Sequence, residues 1–355
     1  MAAARDCEVA PACVTAIFSP PLMFRPDSLL VAPLPTQPRD IMYKAHLPVP
    51  RVLGRALALV AILVAGSTAN LRAQSVDDDV LLPSRAVSAG TMYTNDSWDH
   101  YWEGTRSRTN GNIGTITTRT ATFAVASGLT DRLTMIAMLP YVWTKATAGP
   151  LRGMQGAQDF QVAAKYRLAE APAGDNGSLS LIGVVAAAVP ASNYTPDFLP
   201  LSIGLASRRL STRLTASVTG KDGSFISATA AHTWRGNVRL DRDSYYTDGQ
   251  LYSTNEVEMP SVFDYSVAMG IRRGRLTMPF SFTKQRTLGG GDIRRQDMPF
   301  VSNRMNFSRI DGSFIYAVPG PESLSMRFGA GRILSGRNVG QSTTFTTGVM
   351  YAVHF

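Results

Sequence analysis

The chain has 355 residues, a formal net charge of +9 and only 17% charged side chains, below the roughly 25% usual for soluble domains. Mean hydropathy is -0.01, and the second half holds no apolar run of the ~18 residues a crossing helix needs, which excludes a polytopic helical membrane protein. Both cysteines, Cys7 and Cys13, lie near the start, so the remainder forms neither a disulfide framework nor a thiolate metal site.

Residues 1–41 carry Pro11, Pro20, Pro21, Pro26, Pro33, Pro35 and Pro38 without any periodic apolar pattern, and read as a disordered extension. From Met42 the character changes. Lys44, Arg51 and Arg55 form a basic stretch, Ala56 to Ala65 a short apolar one, and small residues follow, with cleavage expected after Ala69 or Ala73. This is the three-part layout of a secretory signal, and its apolar run is too short to span a bilayer well. The simplest account of its internal position is a start codon assigned too early, with Met42 the initiator. On this reading 42–73 is a signal peptide and 74–355 the folded part. From Ser75 onward 28 Lys+Arg face 22 Asp+Glu, and the arginines are scattered rather than clustered, so nucleic acid is not an expected partner.

Beyond the signal the side chains alternate with period two, the mark of strands with two unlike faces. Strands are expected near 85–94, 116–127, 133–144, 158–168, 178–190, 200–218, 223–239, 262–272, 275–287, 305–317, 323–333 and 343–355. Phe160, Val162, Ala164, Tyr166 and Leu168 share one face, against Gln161, Ala163, Lys165 and Arg167. Phe263, Tyr265, Val267, Met269 and Ile271 oppose Asp264, Ser266, Ala268, Gly270 and Arg272, and Leu324, Met326, Phe328 and Ala330 oppose Ser325, Arg327, Gly329 and Gly331. In the last strand Phe345, Thr347, Val349, Tyr351, Val353 and Phe355 align. Residues 133–143 are apolar on both faces, and 201–218 changes parity near Ser207, which suggests a β-bulge. Links at 128–132, 169–177, 219–222, 273–274 and 318–322 are short, whereas 95–115, 145–157, 191–199, 240–261, 288–304 and 334–342 are long and polar. These features together predict an all-β, antiparallel, transmembrane up-and-down β-barrel of about 12 strands, with short periplasmic turns and longer extracellular loops.

One stretch resembles the putative MetA-pathway of phenol degradation family, a group of predicted outer-membrane, transporter-like barrels. The resemblance rests on Gly128-Leu129-Thr130-Asp131-Arg132-Leu133 leading into Met138-Leu139-Pro140-Tyr141-Val142, then Gln158-Asp159, Ala164-Lys165-Tyr166-Arg167-Leu168 and Val189-Pro190. Gln155-Gly156-Ala157-Gln158-Asp159 departs from the family's Gly-x-Gly-Asp. The resemblance covers about 128–218 well and the rest by layout only. Physically, Leu129 to Leu133 is a tight turn in which Asp131 can bond nearby backbone N–H groups, and Pro140 marks a distorted strand or a rim. The terminal Phe355, with Val353 and Tyr351, resembles the signal that outer-membrane barrels present to the barrel-assembly machinery.

Little in the chain points to catalysis. His100, His232 and His354 lack the His-x-Ser spacing of outer-membrane lipases, and a nucleophilic hydroxyl needs a base within reach. On a helical turn Asp96, His100 and Glu103 would share a face, but one histidine in an outer loop favours a site without metal. Gly289-Gly290-Gly291-Asp292 lacks the Lys-Ser/Thr of a phosphate loop and reads as a flexible outer loop. Asp96, Asp99 and Glu103 and, farther along, Asp241, Asp243 and Asp248 read as solvated loop charges, with a calcium or lipopolysaccharide bridge the sharper alternative. The informative set faces inward: Lys165, Arg167, Arg213, Arg272 and Arg327, with Asp264 the acidic counterpart. Charges inside a pore select by sign. The expectation is therefore a cofactor-free channel for small solutes, anionic or aromatic, embedded in outer-membrane lipid and lipopolysaccharide. The alternatives are a closed structural or adhesion barrel in which the arginines pair with acids, and an outer-membrane hydrolase.

Overall fold

Alternation converts directly into a closed wall. In the computed structural model, which describes residues 75–174, 177–294, 299–319 and 324–355, twelve strands form an antiparallel barrel. They are β1 (Ala86–Trp98), β2 (Ile116–Thr130), β3 (Leu133–Ala146), β4 (Asp159–Pro172), β5 (Gly177–Pro190) and β6 (Arg209–Gly220). The remaining six are β7 (Ser224–Arg235), β8 (Val262–Arg273), β9 (Leu276–Thr287), β10 (Asn306–Ala317), β11 (Leu324–Arg337) and β12 (Thr343–His354). Each pairs with its sequence neighbour, and β1 pairs with β12 from Ala86↔His354 to Ser97↔Thr343, so the sheet has no free edge. A short extension, Gln155–Ala157, continues the β4 position of the wall. Between Met138↔Gln161 and Tyr141↔Ala157 the β3–β4 ladder skips a step. Pro140, which has no N–H to donate, sits at that skip as the strand pattern predicts.

The outer face is apolar. Phe123, Phe160, Leu214, Ile226, Met269, Phe280, Phe328, Phe345 and Phe355 are all exposed, an arrangement unfavourable in water and suited to hydrocarbon. No helix among the described residues is long and apolar enough to cross a membrane. Val353 shares a strand face with Phe345 and Val349 by parity, yet it is buried, and Tyr351 is half-buried. Turns at the end with the short connections are tight: Gly223 takes φ +87 and its N–H donates to Gly220 O at 3.0 Å. A Cβ there would stand 2.2 Å from Arg272 O, so only glycine fits.

Two expected strands are shorter than their patterns. Residues 201–208 are not strand; β6 begins at Arg209. The parity change near Ser207 is thus a strand entry rather than a bulge. Leu201 and Ile203 are buried, and their carbonyls accept from Thr144 Oγ1 (2.6 Å) and Gln158 Nε2 (2.5 Å). Side chains of the wall satisfy this backbone, so it needs no ladder. β7 likewise stops at Arg235, and Val238–Arg239 pairs instead with Glu256–Val257. The long loops carry an apolar core of their own, Val238, Leu240, Tyr245, Val257, Met259, Phe300 and Val301, in which Tyr245 stacks on Tyr252 and Phe300. The 1–41 extension and the 42–73 signal lie outside the described residues.

Candidate functional site

The chain enters the barrel from inside. Residues 75–85 precede β1 and run along the lumen wall, where Val76 and Leu82 are buried with Ala126, Ile136, Ala163, Ile182, Val184 and Ala186. This explains why 133–143 is apolar on both faces. Its outer face meets lipid, and its inner face meets the segment. Burying Val76 and Leu82 contributes about 1.5–3 kcal/mol each. Backbone contacts then fix the register: Leu82 N–H donates to Thr134 Oγ1 (3.0 Å), Ser84 N–H to Asp131 Oδ1 (2.9 Å) and Arg85 N–H to Gly128 O (2.9 Å). Asp131 therefore anchors the entering segment, whereas within its own turn it is the Thr130 hydroxyl that accepts from Arg132 N–H (3.2 Å). Gly128 makes room for it, since a Cβ there would lie 2.0 Å from Pro83 O.

Three consecutive aspartates on this segment reach three cations on three different strands. Asp77 Oδ1 lies 2.7 Å from an Arg213 Nη of β6. Asp78 Oδ1 lies 2.7 Å from Lys165 Nζ of β4. Asp79 meets Arg272 of β8 through both carboxylate oxygens and also accepts from the Ser217 hydroxyl. Residues 76–79 form a run of bends, which turns the three carboxylates toward three different strands of the wall. Lys165 has no exposed surface, and its ammonium also donates to Ser75 O (2.5 Å), Asp78 O (2.9 Å) and Val80 O (3.2 Å). Every one of those acceptors belongs to the segment. Burying an ammonium is tolerable only with such full satisfaction. The guanidinium of Arg272 also lies 3.6 Å from the centroid of the Phe225 ring, within cation–π range.

Beside the segment a cavity of about 650 Å³ remains, lined by β1, by Arg213 of β6 and by β7–β12. Ser227, Thr229, Ser266, Ser281, Thr283 and Thr346 give it a hydroxyl-rich wall, with Asp96, Asp264, Arg309, Asp311 and Arg327 among the charges. The other side is filled from outside as well: Tyr194 and Ile203 of the 191–208 loop pack on Val142 of β3. There the Tyr194 hydroxyl donates to Asp159 Oδ1 (2.6 Å) while Arg209 holds Oδ2 (2.9 Å), and burial next to that carboxylate pushes the phenol above its ordinary value.

The inward parity of Lys165, Arg167, Arg213, Asp264, Arg272 and Arg327 agrees with their alternating burial. Three of the six, Lys165, Arg213 and Arg272, come together through the segment. Asp264 and Arg327 line the remaining cavity. Arg167 stands apart, paired with Glu170 at 2.9 Å beside a register shift in β4. Sequence reasoning passed over Asp77-Asp78-Asp79, although three acids flanked by Val76 and Val80-Leu81-Leu82, just ahead of the first strand, were in view.

The shared helical face of Asp96, His100 and Glu103 does not form. Asp96 is in β1, and His100–Glu103 pairs with Arg106–Thr109 as a hairpin. Asp96 accepts from Thr344 (2.6 Å), Glu103 from Arg108 (2.9 Å), and His100 Nδ1 lies 2.7 Å from Asp99. His232 faces outward against Trp234, with cross-strand neighbour Thr212, and its buried Nδ1 has no hydrogen-bond partner. The glycine loop is pinned: Asp292 holds Arg337 at 2.7 Å and Asn338 at 2.7 Å, and the Arg337 guanidinium draws its carboxyl down to about 2. Asp248 lies 3.6 Å from Arg294 in the neighbouring loop.

No protein-family model matches the chain, so the likeness to the phenol-degradation family rests on the segments quoted above. No curated protein matches it either. Among solved structures, an outer membrane channel from Pseudomonas putida F1 is similar at a TM-score of 0.60 and 15% identity, over 78% of this chain and 98% of that one. The NanC porin overlaps 73% of this chain and 98% of its own at a TM-score of 0.41 and 7% identity. A monoaromatic hydrocarbon channel, CymD, overlaps 77% and 89% at a TM-score of 0.32 and 10% identity. The first likeness supports the closed twelve-stranded barrel; at these identities it speaks for the fold alone.

Proposed function

We propose that this protein is a channel of the bacterial outer membrane for small solutes, held narrow by its own residues 75–85. The observation that carries the reading is the polar cavity of about 650 Å³ left between the segment and strands β1 and β6–β12. A wall built only to be closed has no need of a hydroxyl- and charge-lined cavity there. The apolar belt around the barrel supports the membrane setting, and the similarity to an outer membrane channel is in keeping with it. The inward cations alone would favour anions, but their pairing with Asp77, Asp78 and Asp79 removes most of that bias. The resting channel is thus weakly selective and of low conductance.

Single-channel recording in a planar bilayer tests this. Small, weakly selective steps from the wild-type protein are expected. Absence of current, both from the wild type and from a variant lacking residues 75–80, would mean a closed wall whose loops, with their own apolar core, serve external contacts.

A further inference from the structure

We infer that Lys165, Arg213 and Arg272 form a binding site for a small polycarboxylate, and that Asp77-Asp78-Asp79 occupy it as a built-in stand-in. This deepens the channel reading by naming a solute class for the same lumen.

The cations stand on β4, β6 and β8, in the wall itself, and would remain there with the segment withdrawn. Their acid partners come from the segment: Asp78 for Lys165, Asp77 for Arg213 and Asp79 for Arg272. Lys165 shows the dependence most sharply, because its four acceptor atoms all lie between Ser75 and Val80. Withdrawn, the segment would leave three positive groups and the Ser217 hydroxyl facing the lumen, with the wall carboxylate Asp264 beside Arg213, a donor set in excess of its remaining acid and matched to several carboxylates rather than one. A guanidinium takes a carboxylate through two parallel bonds, and Asp79 on Arg272 already shows that mode.

The geometry also supplies an order of exchange. Asp77 is the most open of the three acids, 72% exposed, and both it and Arg213 line the cavity. Arg272, Asp78 and Asp79 line the same cavity, but the Arg213–Asp77 pair is the most exposed and so the weakest, and a solute carboxylate exchanges there first. Arg272 with Asp79 is the dry pair, at 11% and 5% exposure, and Lys165 is fully enclosed. A second and third carboxylate on the same solute then compete for these at high effective concentration, whereas a monocarboxylate cannot. Exchange keeps every buried cation paired throughout, so it avoids the cost of a bare charge in the lumen.

The test uses citrate as the probe, with acetate and inorganic phosphate as controls, on purified folded barrel in detergent. Citrate is expected to bind a variant lacking residues 75–80 about ten-fold or more tightly than the full chain, the competing segment having been removed. Acetate and phosphate should bind far more weakly, and Lys165→Gln with Arg213→Gln in the shortened chain should abolish citrate binding. The full-length D77N/D78N/D79N variant, which keeps the apolar anchors, should also bind citrate more tightly than wild type. If the shortened barrel conducts but binds no citrate, or binds phosphate equally, the site is overturned and the channel reading stands. If citrate binds as described but no form of the protein passes current, the site stands and the channel reading fails.

Discussion

Replacing Lys165 with methionine removes one charge and three donors while nearly keeping the volume of the side chain. In the native barrel the ammonium is fully enclosed and satisfies Asp78 and the carbonyls of Ser75, Asp78 and Val80. Breaking a buried ion pair by deleting one partner costs about 3–5 kcal/mol. The Asp78 side chain is a quarter exposed, so the lower end, about 3 kcal/mol, is the better figure. Methionine refills the space around Ala163 and Val184, so little is added for a cavity. The wall ladder does not depend on Lys165's side chain, and the loss falls on the docked segment. A shift of about 3 kcal/mol multiplies the released fraction by roughly 10². Hydrogen exchange followed by mass spectrometry reads this directly. The amides of Leu82 and Ser84, held by Thr134 and Asp131, should exchange roughly 10²-fold faster, with amides of β8–β12 unchanged. Planar-bilayer recordings of the same variant should show more frequent large openings. Unchanged protection of Leu82 and Ser84 in a folded barrel would refute the reasoning, because it would mean that the apolar anchors alone hold the segment.

Three further outcomes follow from the same geometry. In a double-mutant cycle on Asp79→Ala and Arg272→Met, each single change should release the segment by about 3 kcal/mol or more. The double change should cost clearly less than the sum, by about 1 kcal/mol or more, in hydrogen exchange of residues 76–85; strict additivity would show the pair to be uncoupled. Tyr194→Phe removes one bond to Asp159 and the acceptor for Ala206 N–H, so the 191–208 loop should loosen by about 1–2 kcal/mol, read as faster proteolysis at the loop. Asp292 has a folded-state pKa drawn down to about 2 by Arg337, below the ordinary value of about 4. Its stabilisation is present above about pH 4 and is lost as pH falls toward 2, so loop protection should fade in that window. The pair is about a third exposed, so Asp292→Asn should cost no more than about 1 kcal/mol at neutral pH and should flatten the pH response.

Period-two alternation is a local property, and it determined most of the wall. Every expected strand exists, and Lys165, Arg213, Asp264, Arg272 and Arg327 face the lumen because side-chain parity needs only one strand to be read. Where parity blurred, a distant packing partner was responsible. Ile136 and Met138 are apolar on the inner face because Leu82 and its neighbours lie against that side of the wall. Residues 201–208 alternate without pairing because Thr144 and Gln158 satisfy their carbonyls.

What the inward charges do was beyond the reach of any local pattern. Lys165 lies 87 positions from Asp78 and Arg272 lies 193 from Asp79, and only closure of the barrel brings a segment ahead of the first strand between strands so far along the chain. The sequence by itself determined a two-faced barrel with cations turned inward. The tertiary structure decided that these cations hold three of the chain's own carboxylates, because charge pairing depends on position in space and leaves no periodic trace along the chain.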